Sequence, residues 1–434
     1  ASEFFLLDLL NKSTTLGNRP IRKTNWNMTL FGKTGSGKSN LLAYILMYLL
    51  NSGNHVTMID KGNSFKKIFL LLKGHFQCRY YTWEEDNPLS FNPFLITKVG
   101  GKYQLNKTDE ALYLKAMLVE LIREKFPKEE LEIITDLIGD YLLPIYYKMV
   151  NSGKIKEVNF NSFYEFMVTM KKVINKKEKT EVVEKGEKDT DDEQLLRDNF
   201  DFDRVSIALK KFYKGGQFEF LFNAKENYNI EDDAFVLFEL DRIQKDPFLF
   251  RIVSMCISQI QDAKLASPNL KTILKFMVID EGTFMMNENM GEIIAGNFQT
   301  VRKHGGGMIF TDQTIDKLAE TGFANRIFGN SDTNILLEQK WTEQTRNYIR
   351  AYLEFTESTL RKVEAIDNSG PWREGTVTMA GVTENFRLVL SPEYLLALNT
   401  DSDNKANIRL LKLYEEFNNM ETAIKQVIEE EQEV

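Results

Sequence analysis

An eight-residue stretch near the start of the chain has the residue types and spacing that bind phosphate. Residues 32–39 read Gly-Lys-Thr-Gly-Ser-Gly-Lys-Ser, which matches the G-x-x-x-x-G-K-[ST] pattern of a P-loop. Glycines let bare backbone N–H groups approach a dense negative charge. Lys38 is expected to reach the β- and γ-phosphates of a nucleoside triphosphate, and the Ser39 hydroxyl is expected to bind Mg²⁺. The predicted nucleotide-binding residues are Gly32, Thr34, Gly35, Ser36, Gly37, Lys38, Ser39 and Asn40.

The residues on either side of this loop predict the elements that position it. Residues 27–31 (Asn-Met-Thr-Leu-Phe) are typical of a short buried strand, and residues 40–52 are typical of an apolar helix that Gly53 ends. A helix N-terminus adds the positive end of its dipole to an anion site. The sequence therefore predicts strand, loop and helix in the order that a P-loop requires.

A second candidate site follows an apolar segment far along the chain. Residues 273–279 (Ile-Leu-Lys-Phe-Met-Val-Ile) predict a buried strand that ends in Asp280 and Glu281. We expect this strand to lie beside the P-loop strand, where Asp280 would hold Mg²⁺ through the water shell of the ion. Glu281 would polarise the attacking water as a general base. Because strands that end in two acids are common, this assignment depends on the P-loop.

Two further polar residues are candidates for the same chemistry. Arg302 begins Arg-Lys-His-Gly-Gly-Gly at the end of a predicted helix, and it could stabilise charge on the leaving phosphates as an arginine finger. The alternative is a cation that completes the C-terminus of that helix. Gln313 follows the predicted strand 307–311, where it would face the γ-phosphate. The alternative is a plain polar residue at a strand end.

Charged residues also end two other predicted strands. Asp60 ends the predicted strand 55–60, and residues 61–64 (Lys-Gly-Asn-Ser) follow it. These residues either contact nucleotide, sugar or a neighbouring subunit, or they serve the structure alone, and the sequence leaves both alternatives open. Arg242 follows the predicted strand 234–240 and is a second candidate for a cation that acts on a neighbouring subunit.

The composition limits the class of protein. Of the 434 residues, 43% are hydrophobic, which is ample for a packed interior, and no apolar run reaches the roughly 18 residues of a membrane span. Two cysteines and three histidines give neither a disulfide framework nor a zinc pattern. The net charge of −8 argues weakly against a surface devoted to nucleic acid, without excluding a locally basic channel. We expect a cytosolic protein or one on the cytosolic face of a membrane and, since the chain does not begin with Met, a piece of a longer protein.

The order of apolar segments predicts an α/β fold. Strands that alternate with helices form a mostly parallel sheet with both faces covered. Residues 106–213 instead carry Leu, Ile and Tyr at helical spacing, which predicts an all-α insertion between the second and third core strands. Within it, residues 171–203 are dense in both charges, which favours a solvated or disordered loop. Residues 375–377 and 386–390 predict paired strands, and the last part of the chain predicts two helices and an acidic tail.

Several segments, in one order along residues 4–400, resemble a known family. They are Phe-Gly-Lys-Thr-Gly-Ser-Gly-Lys-Ser at 31–39, Ile-Asp-Lys-Gly-Asn-Ser-Phe at 59–65, Phe-Asn-Pro-Phe at 91–94, Val-Ile-Asp-Glu at 278–281, Arg-Lys-His-Gly-Gly at 302–306, Thr-Asp-Gln at 311–313 and Phe-Arg-Leu-Val-Leu-Ser-Pro at 386–392. In this order they resemble the conjugation and type IV secretion ATPases of the TraC/TrbE kind, the VirB-type motors within the FtsK/HerA superclass. One departure is Gly282 and Thr283 after the acidic pair, where family members often have Ala and Trp.

The resemblance implies a RecA-like P-loop NTPase with an all-α inserted subdomain, and ATP and Mg²⁺ as its cofactors. It implies that Arg302 acts in trans in a hexameric ring, with Gln313 as the γ-phosphate sensor. The isolated piece is alternatively a monomer. The implied partners are the coupling protein and inner-membrane channel subunits of the secretion system, with DNA as a further contact. An N-terminal region outside this chain would dock on the channel, so the protein would be peripheral on the cytoplasmic face of the membrane.

The expected domain limits follow from these assignments. They are 1–105 for the first part of the core, 106–213 for the insertion, 214–400 for the second part of the core and 401–434 for the C-terminal helices. The expected function is an ATP-hydrolysing motor that powers channel or pilus assembly and the transfer of DNA or protein. One alternative is a DNA translocase of the FtsK/HerA or coupling-protein type. Another is a structural platform whose nucleotide sets only its oligomeric state.

Overall fold

The computed structural model divides the chain into two compact units. The first contains Ala1–Trp83, Ile230–Phe250 and Gln261–Val434, and the second contains Glu84–Asn229 and Arg251–Ile260. The residues that the structure describes are 8–17, 19–105, 110–181, 191–366, 372–399 and 404–432. The domain limits drawn from the sequence stay a prediction. Within these described ranges, no helix is both long and apolar enough to cross a membrane.

The described residues form the following elements, in chain order. The strands are β1 (Ser13–Leu16), β2 (Arg19–Arg22), β3 (Met28–Phe31), β4 (His55–Asp60), β5 (Cys78–Thr82), β6 (Lys98–Val99), β7 (Lys102–Tyr103), β8 (Phe235–Glu239), β9 (Lys275–Ile279), β10 (Gly306–Asp312), β11 (Thr333–Leu336), β12 (Arg373–Met379) and β13 (Val382–Leu388). The α-helices are α1 (Lys38–Asn51), α2 (Lys66–Leu72), α3 (Glu110–Ile122), α4 (Lys128–Leu137), α5 (Leu143–Asn151), α6 (Phe160–Glu181), α7 (Asp191–Asn199), α8 (Phe202–Leu209), α9 (Pro247–Ala266), α10 (Glu288–Thr300), α11 (Ile315–Glu320), α12 (Ala324–Phe328), α13 (Glu343–Leu353), α14 (Glu357–Glu364), α15 (Pro392–Leu398), α16 (Lys405–Phe417) and α17 (Met420–Gln432).

A nine-stranded sheet organises the first unit. Its strand order is β13-β12-β11-β3-β10-β9-β4-β8-β5. The strands from β11 to β5 pair in parallel, whereas β12 is antiparallel to both of its neighbours. The predicted α/β class with a mostly parallel sheet is therefore confirmed. Because parallel strands end on the same side, the carboxyl ends of β3, β10, β9, β4 and β8 form one border of the sheet, the carboxyl edge.

The sheet is covered on both faces, as the apolar strands predict. Met28 and Leu30 of β3 belong to a core that the sheet shares with α1, α2 and the C-terminal helices α15, α16 and α17. Successive side chains of a strand point to opposite faces, and Phe31 accordingly packs on Phe310 and Phe328, with ring centroids 6.4 and 5.7 Å away. Strands buried on both faces need the near-continuous apolar runs that made them recognisable in the sequence.

The acidic strand does not lie beside the P-loop strand, so this expectation is wrong. β10 pairs with β3 on one side, where Asp312 is opposite Phe31, and with β9 on the other, where Phe310 is opposite Ile279. The strand that ends at Ile279 is thus one strand removed from the P-loop strand. The order of these three strands depends on the long-range pairing of β10, which a local residue pattern does not indicate.

A strand that was not predicted from the sequence precedes the helical insertion. Cys78–Thr82 forms β5, which pairs only with β8 at the border of the sheet, so the helical block follows the third strand of the parallel sheet rather than the second. Four of the five β5 residues are only partly buried and Arg79 is exposed. An edge strand of this kind lacks the continuous apolar run by which the central strands were predicted.

The charged stretch 171–203 is largely helical, so the predicted solvated or disordered loop is wrong for its described residues. α6 continues to Glu181 and α7 covers Asp191–Asn199, whereas 182–190 lie outside the described residues. Phe160, Met167 and Ile174 repeat at a seven-residue spacing and are buried, which fixes α6 on the second unit. Lys and Glu are good helix formers, so a high density of charge did not exclude a helix.

The Asn-Pro-Phe segment serves the structure of the second unit. Asn92 is buried and donates from Nδ2 to Val158 O at 2.7 Å and to Ala224 O at 2.9 Å. Its backbone N donates to Asn227 Oδ1 at 2.7 Å. The ring of Phe94 is fully buried. A buried amide with every group bonded fixes the chain segments that it joins.

The predicted C-terminal strand pair is confirmed and is longer than expected. β12 and β13 pair antiparallel from Arg373 opposite Leu388 to Met379 opposite Val382. Ala380 and Gly381 connect them with φ of 47° and 81°, as a tight two-residue hairpin turn requires. The predicted pair of C-terminal helices is also confirmed, as α16 and α17.

Candidate active site

The P-loop joins β3 to α1 in the predicted order. Gly35 and Gly37 have φ of 82° and 88°, in the left-handed region that favours glycine. A Cβ on Gly32 would lie 2.5 Å from Ser36 Oγ, which makes a side chain there incompatible with this loop. α1 begins at Lys38, so its first backbone N–H groups, which have no partner within the helix, face the loop.

The remaining predicted P-loop residues differ in how far they are exposed. Thr34 is exposed, and Ser39 and Asn40 are half-buried in the first turn of α1. Ser36 is fully buried, and its Oγ has no hydrogen-bond partner among the described residues. A buried hydroxyl without a partner is uncommon and calls for an explanation.

Lys38 and Asp280 meet across the strand that separates β3 from β9. Lys38 Nζ lies 3.1 Å from Asp280 Oδ1, and the two side chains are only 10% and 7% exposed. The hydroxyl of Thr311, at the end of the intervening β10, donates to the same Oδ1. The structure therefore brings together two residues predicted from separate motifs. Thr311 ends the strand predicted before Gln313, and the sequence pattern indicated no role for it.

Glu281 is held by two donors from neighbouring strand ends. Gln313 Nε2 donates to Glu281 Oε1 at 2.8 Å, and Lys61 Nζ donates to Oε2 at 3.0 Å. Burial raises the pKa of Glu281, but these two bonds and the charge of Lys38 outweigh burial and hold the pKa below its usual value. The carboxylate is thus kept ionised, as a general base must be.

Glu281 also has a backbone conformation that the sequence does not reveal. Its φ is 53° and its ψ is 46°, in the left-handed region, where a residue with a Cβ is strained by about 1–3 kcal/mol. Such strain occurs most often at functional sites.

The two residues after the acidic pair suit the packing of this chain. A Cβ on Gly282 would lie 2.3 Å from Phe310 Cε2, so the Phe310 ring occupies the space that an alanine would need. Thr283 donates from its backbone N to Asp312 Oδ2 at 3.0 Å and from its hydroxyl to the same oxygen. The departure from the family pattern is therefore accommodated by Phe310 and Asp312.

Asp60 shapes the loop that carries Lys61. Its carboxylate is buried and accepts the backbone N–H groups of Gly62 and Phe65 at 3.0 and 3.2 Å. Burial, with the nearby charge of Asp280, raises the pKa of Asp60 to about 7 despite these two bonds. Asp60 thus stabilises the loop through two hydrogen bonds, and Lys61 of the same loop reaches Glu281.

Arg302 lies away from the P-loop of its own chain. It belongs to the turn Val301–His304, just before β10, and it is exposed, with Nη1 donating to Thr24 O at 3.2 Å. The length of β10, about 20 Å at some 3.3 Å per residue, separates this turn from the carboxyl edge. Arg242 is exposed in the turn Asp241–Ile243, which follows β8 at the carboxyl edge.

Arg373 lies beside Gly37 of the P-loop, and the sequence did not predict it as a site residue. A Cβ on Gly37 would lie 2.6 Å from Arg373 Cγ and 3.3 Å from its Nε. Arg373 Nη1 donates to Trp372 O at 3.0 Å. Because β12 is antiparallel to β11, its first residue lies at the carboxyl edge, where the parallel strands end. That strand begins two residues before the predicted one, so no pattern singled out this arginine.

A small cavity lies beside Glu281. It has a volume of about 320 Å³ and is lined by Lys61, Glu281, Thr283, Phe284, Asp312, Lys317 and Glu320. Both signs of charge line it, and Lys317 Nζ lies 3.5 Å from Asp312 Oδ1. Glu281 is therefore accessible from this cavity, whereas Asp280 is buried.

Known proteins are similar to this chain in sequence and in fold. The TraG P-loop domain family matches residues 6–431. Protein TraC of Escherichia coli (strain K12) is 25% identical over 334 residues, which are 75% of this chain and 34% of TraC. The chain thus spans about a third of the length of this curated relative.

Solved structures of two proteins resemble the fold. VirB4 of Thermoanaerobacter pseudethanolicus has a TM-score of 0.62 at 17% identity, over 90% of this chain and 94% of VirB4. The unbound bacterial conjugative coupling protein TrwB has a TM-score of 0.56 at 13% identity, over 88% of this chain and 89% of that one. These likenesses show a shared fold, and the resemblance drawn from the motifs is confirmed by the family match. The chain belongs to the TraG P-loop domain family.

Proposed function

We propose that this chain is the ATP-hydrolysing motor domain of a type IV secretion or conjugation system. It powers channel or pilus assembly and the transfer of a DNA or protein substrate. The observation that carries the proposal is the contact of Lys38 Nζ with Asp280 Oδ1 at 3.1 Å, in a chain of the TraG P-loop domain family. The P-loop lysine and the strand-end acids of an NTPase must meet at one edge of the sheet.

The loop fits the phosphates of a nucleotide. Gly35 and Gly37 keep it in a conformation that favours glycine, and the buried Ser36 hydroxyl has no partner within the described chain. The coupling protein TrwB, a structural relative with TM-scores of 0.54 and 0.52, has been solved with ADP and Mg²⁺ and with the ATP analogue ADPNP. Both observations support ATP as the ligand of this loop.

Ser39 and Asp280 are the residues that would hold Mg²⁺, Asp280 through water. Oxygen ligands and several retained waters suit this ion. In the described ranges no group of three or more His, Cys, Asp or Glu is arranged to hold a metal. When bound, Mg²⁺ neutralises charge on the phosphates.

The side chains of the carboxyl edge then have separate roles in hydrolysis. Lys38 exchanges Asp280 for oxygens of the β- and γ-phosphates. Glu281 accepts the proton of the attacking water, and its lowered pKa keeps it ionised for that step. Gln313 faces the γ-phosphate as its sensor. Arg373, which lies against Gly37, adds a cation beside the phosphates in the same chain.

Arg302 acts on the nucleotide of a neighbouring copy in a ring hexamer. The length of β10 separates its turn from the P-loop of its own chain, and its guanidinium is exposed. An exposed cation at the opposite border of the sheet is available to a second subunit. The isolated piece can remain a monomer, whose site would then lack this arginine.

The proposed partners follow from the family rather than from a contact in the structure. They are further copies of the chain, the coupling protein, inner-membrane channel subunits and DNA. The proposed location is peripheral, on the cytoplasmic face of the membrane. TraC, the curated relative, is about three times as long as the aligned part of this chain, so docking is assigned to the remainder of such a protein.

A DNA translocase of the coupling-protein type is the second candidate. The fold likeness to TrwB, with a TM-score of 0.56, favours it. ATP turnover that DNA stimulates, and that falls steeply as the salt concentration rises, would support this candidate. ATP turnover that is the same with and without DNA would support the secretion motor. A Lys38→Ala protein that still supports transfer in cells would favour a structural platform.

The test of the proposed function is ATP turnover as a function of protein concentration. Turnover per subunit should rise with concentration, because Arg302 completes the site of a neighbour. Particle size measured with and without nucleotide should rise in parallel. Lys38→Ala is the control, in which turnover should be absent at every concentration. A wild-type protein that neither binds nor hydrolyses ATP would contradict the proposal.

A further inference from the structure

The loop after β4 holds Lys61 in a defined direction. The Asp60 carboxylate fixes the loop through the N–H groups of Gly62 and Phe65. Asn63 closes the turn with φ of 52°, a left-handed value that asparagine tolerates. Lys61 therefore lies at the start of a loop whose backbone is hydrogen-bonded to the buried carboxylate of Asp60.

The ammonium group of Lys61 lies between an aromatic ring and a carboxylate. Its Nζ is 4.0 Å from the centroid of the Phe284 ring and 3.0 Å from Glu281 Oε2. Phe284 is itself fixed edge to face on Phe250, with ring centroids 5.0 Å apart. Lys61 is only 19% exposed, so water screens this pair less than a surface ion pair. The ammonium group therefore contacts both the ring and the carboxylate.

Glu281 needs this support because its backbone provides little. Strand β9 ends at Ile279, and Glu281 has a left-handed conformation, so regular strand geometry does not orient its side chain. Gln313, after β10, holds one carboxylate oxygen, and Lys61, after β4, holds the other. A general base must be placed to within a fraction of an ångström of the productive geometry, and support from surrounding residues is what achieves this.

We propose that Lys61 is a positioning residue for ATP hydrolysis, whose ammonium group holds Glu281 Oε2 and thereby fixes the carboxylate that activates water. This inference rests on the proposed function. Lys61 acts through Glu281 and does not contact nucleotide in this role. Its loss should therefore lower the rate of hydrolysis and leave nucleotide affinity unchanged.

The experiment compares Lys61→Met and Lys61→Arg with the matched control Lys66→Met. Lys66 is exposed, lies five residues further along the chain and is 6.0 Å from the ring centroid of Tyr80, so it tests the loss of a nearby lysine charge. Turnover, KM for ATP, the Kd of a fluorescent ADP and the Tm are measured at the protein concentration that gives the highest turnover.

Lys61→Met should lower kcat roughly 10- to 100-fold, as expected for a misplaced catalytic group, with KM and the Kd for ADP within about twofold of wild type. Lys61→Arg, which keeps a cationic donor, should recover most of the rate, and Lys66→Met should match wild type. An unchanged or higher kcat in Lys61→Met would overturn the inference. So would a raised Kd for ADP, or a loss that Lys61→Arg fails to recover.

The controls separate this inference from the proposed function. If the wild type hydrolyses ATP and Lys61→Met does so at the same rate, Lys61 has no positioning role and the motor assignment stands. If the wild type neither binds nor hydrolyses ATP, the proposed function fails, and the inference fails with it. A fall in Tm that accompanies lost nucleotide binding would assign Lys61 a structural role.

Discussion

The amide of Gln313 donates to the carboxylate of Glu281, with 2.8 Å between Nε2 and Oε1. The residue assigned to sense the γ-phosphate and the residue assigned to activate water are thus direct partners. If the Gln313 amide donated to the γ-phosphate instead, its bond to Glu281 Oε1 would break, and that oxygen could accept a hydrogen bond from the attacking water. Recognition of the triphosphate and activation of the base would then be one event.

Replacing Gln313 with Ala should therefore lower kcat while leaving ADP affinity unchanged. Glu281 would keep Lys61 but lose the donor to its Oε1, and the site would lose the amide assigned to the γ-phosphate. We expect a fall of roughly 10- to 100-fold, as for misplacement of a catalytic group. Steady-state turnover and binding of a fluorescent ADP check this. Loss of ADP binding in this variant would mean that Gln313 supports the binding of the phosphates that ADP and ATP share, rather than sensing the γ-phosphate.

Mixing two inactive proteins tests whether Arg302 acts across an interface. Arg302→Ala keeps an intact P-loop, and Lys38→Ala keeps an intact arginine. A mixed ring therefore contains some sites with a P-loop from one subunit and an arginine from the next. Each protein alone should be inactive, and turnover should be highest at intermediate ratios. Inactivity at every ratio would count against action in trans.

The contact of Arg373 with Gly37 predicts a defect in binding rather than in chemistry. Arg373→Ala should weaken ATP and ADP alike, since the guanidinium lies against the loop that holds the phosphates common to both. Arg387 on the paired strand lies 4.3 Å from the Trp372 ring centroid and pairs with Glu374, so Arg387→Ala is the matched control. Equal nucleotide affinities in the two variants would refute this role.

Gly282 should be intolerant of a side chain for steric reasons. A Cβ there meets the Phe310 ring at 2.3 Å, and overpacking of this kind costs about 1–3 kcal/mol. Gly282→Ala should lower the free energy of unfolding by that amount in urea titrations. Gly296→Ala, at a helical position where nothing lies within 4 Å, should be neutral or stabilising. The prediction fails if both variants are equally stable.

The sequence predicts those parts of the site that depend on local chemistry. Lys38 and Asp280 belong to motifs whose residue types are dictated by phosphate and metal binding, and the structure brings them together. Each flanking strand and helix is also encoded locally, by an apolar run and by a terminating residue such as Gly53. Such features can be predicted without knowing which strands pair in the sheet.

The parts that depended on long-range pairing were not predictable. The position of β10 between β3 and β9 and the placement of Arg373 against the P-loop both follow from strand order. The left-handed conformation of Glu281 depends on tertiary packing around it. For Lys61, the sequence offered several roles, and only the geometry of the loop after Asp60 directs it to Glu281.

The fate of ATP bound to Glu281→Gln tests the central claim most directly. A Gln side chain keeps the shape of Glu281 but cannot take the proton of water, so hydrolysis should fall by at least about 100-fold while ATP stays bound. Protein separated from free nucleotide should carry ATP in Glu281→Gln and no nucleotide in Lys38→Ala, and the wild type should convert bound ATP to ADP. Hydrolysis by Glu281→Gln at the wild-type rate, or a wild type that retains no nucleotide, would contradict the account.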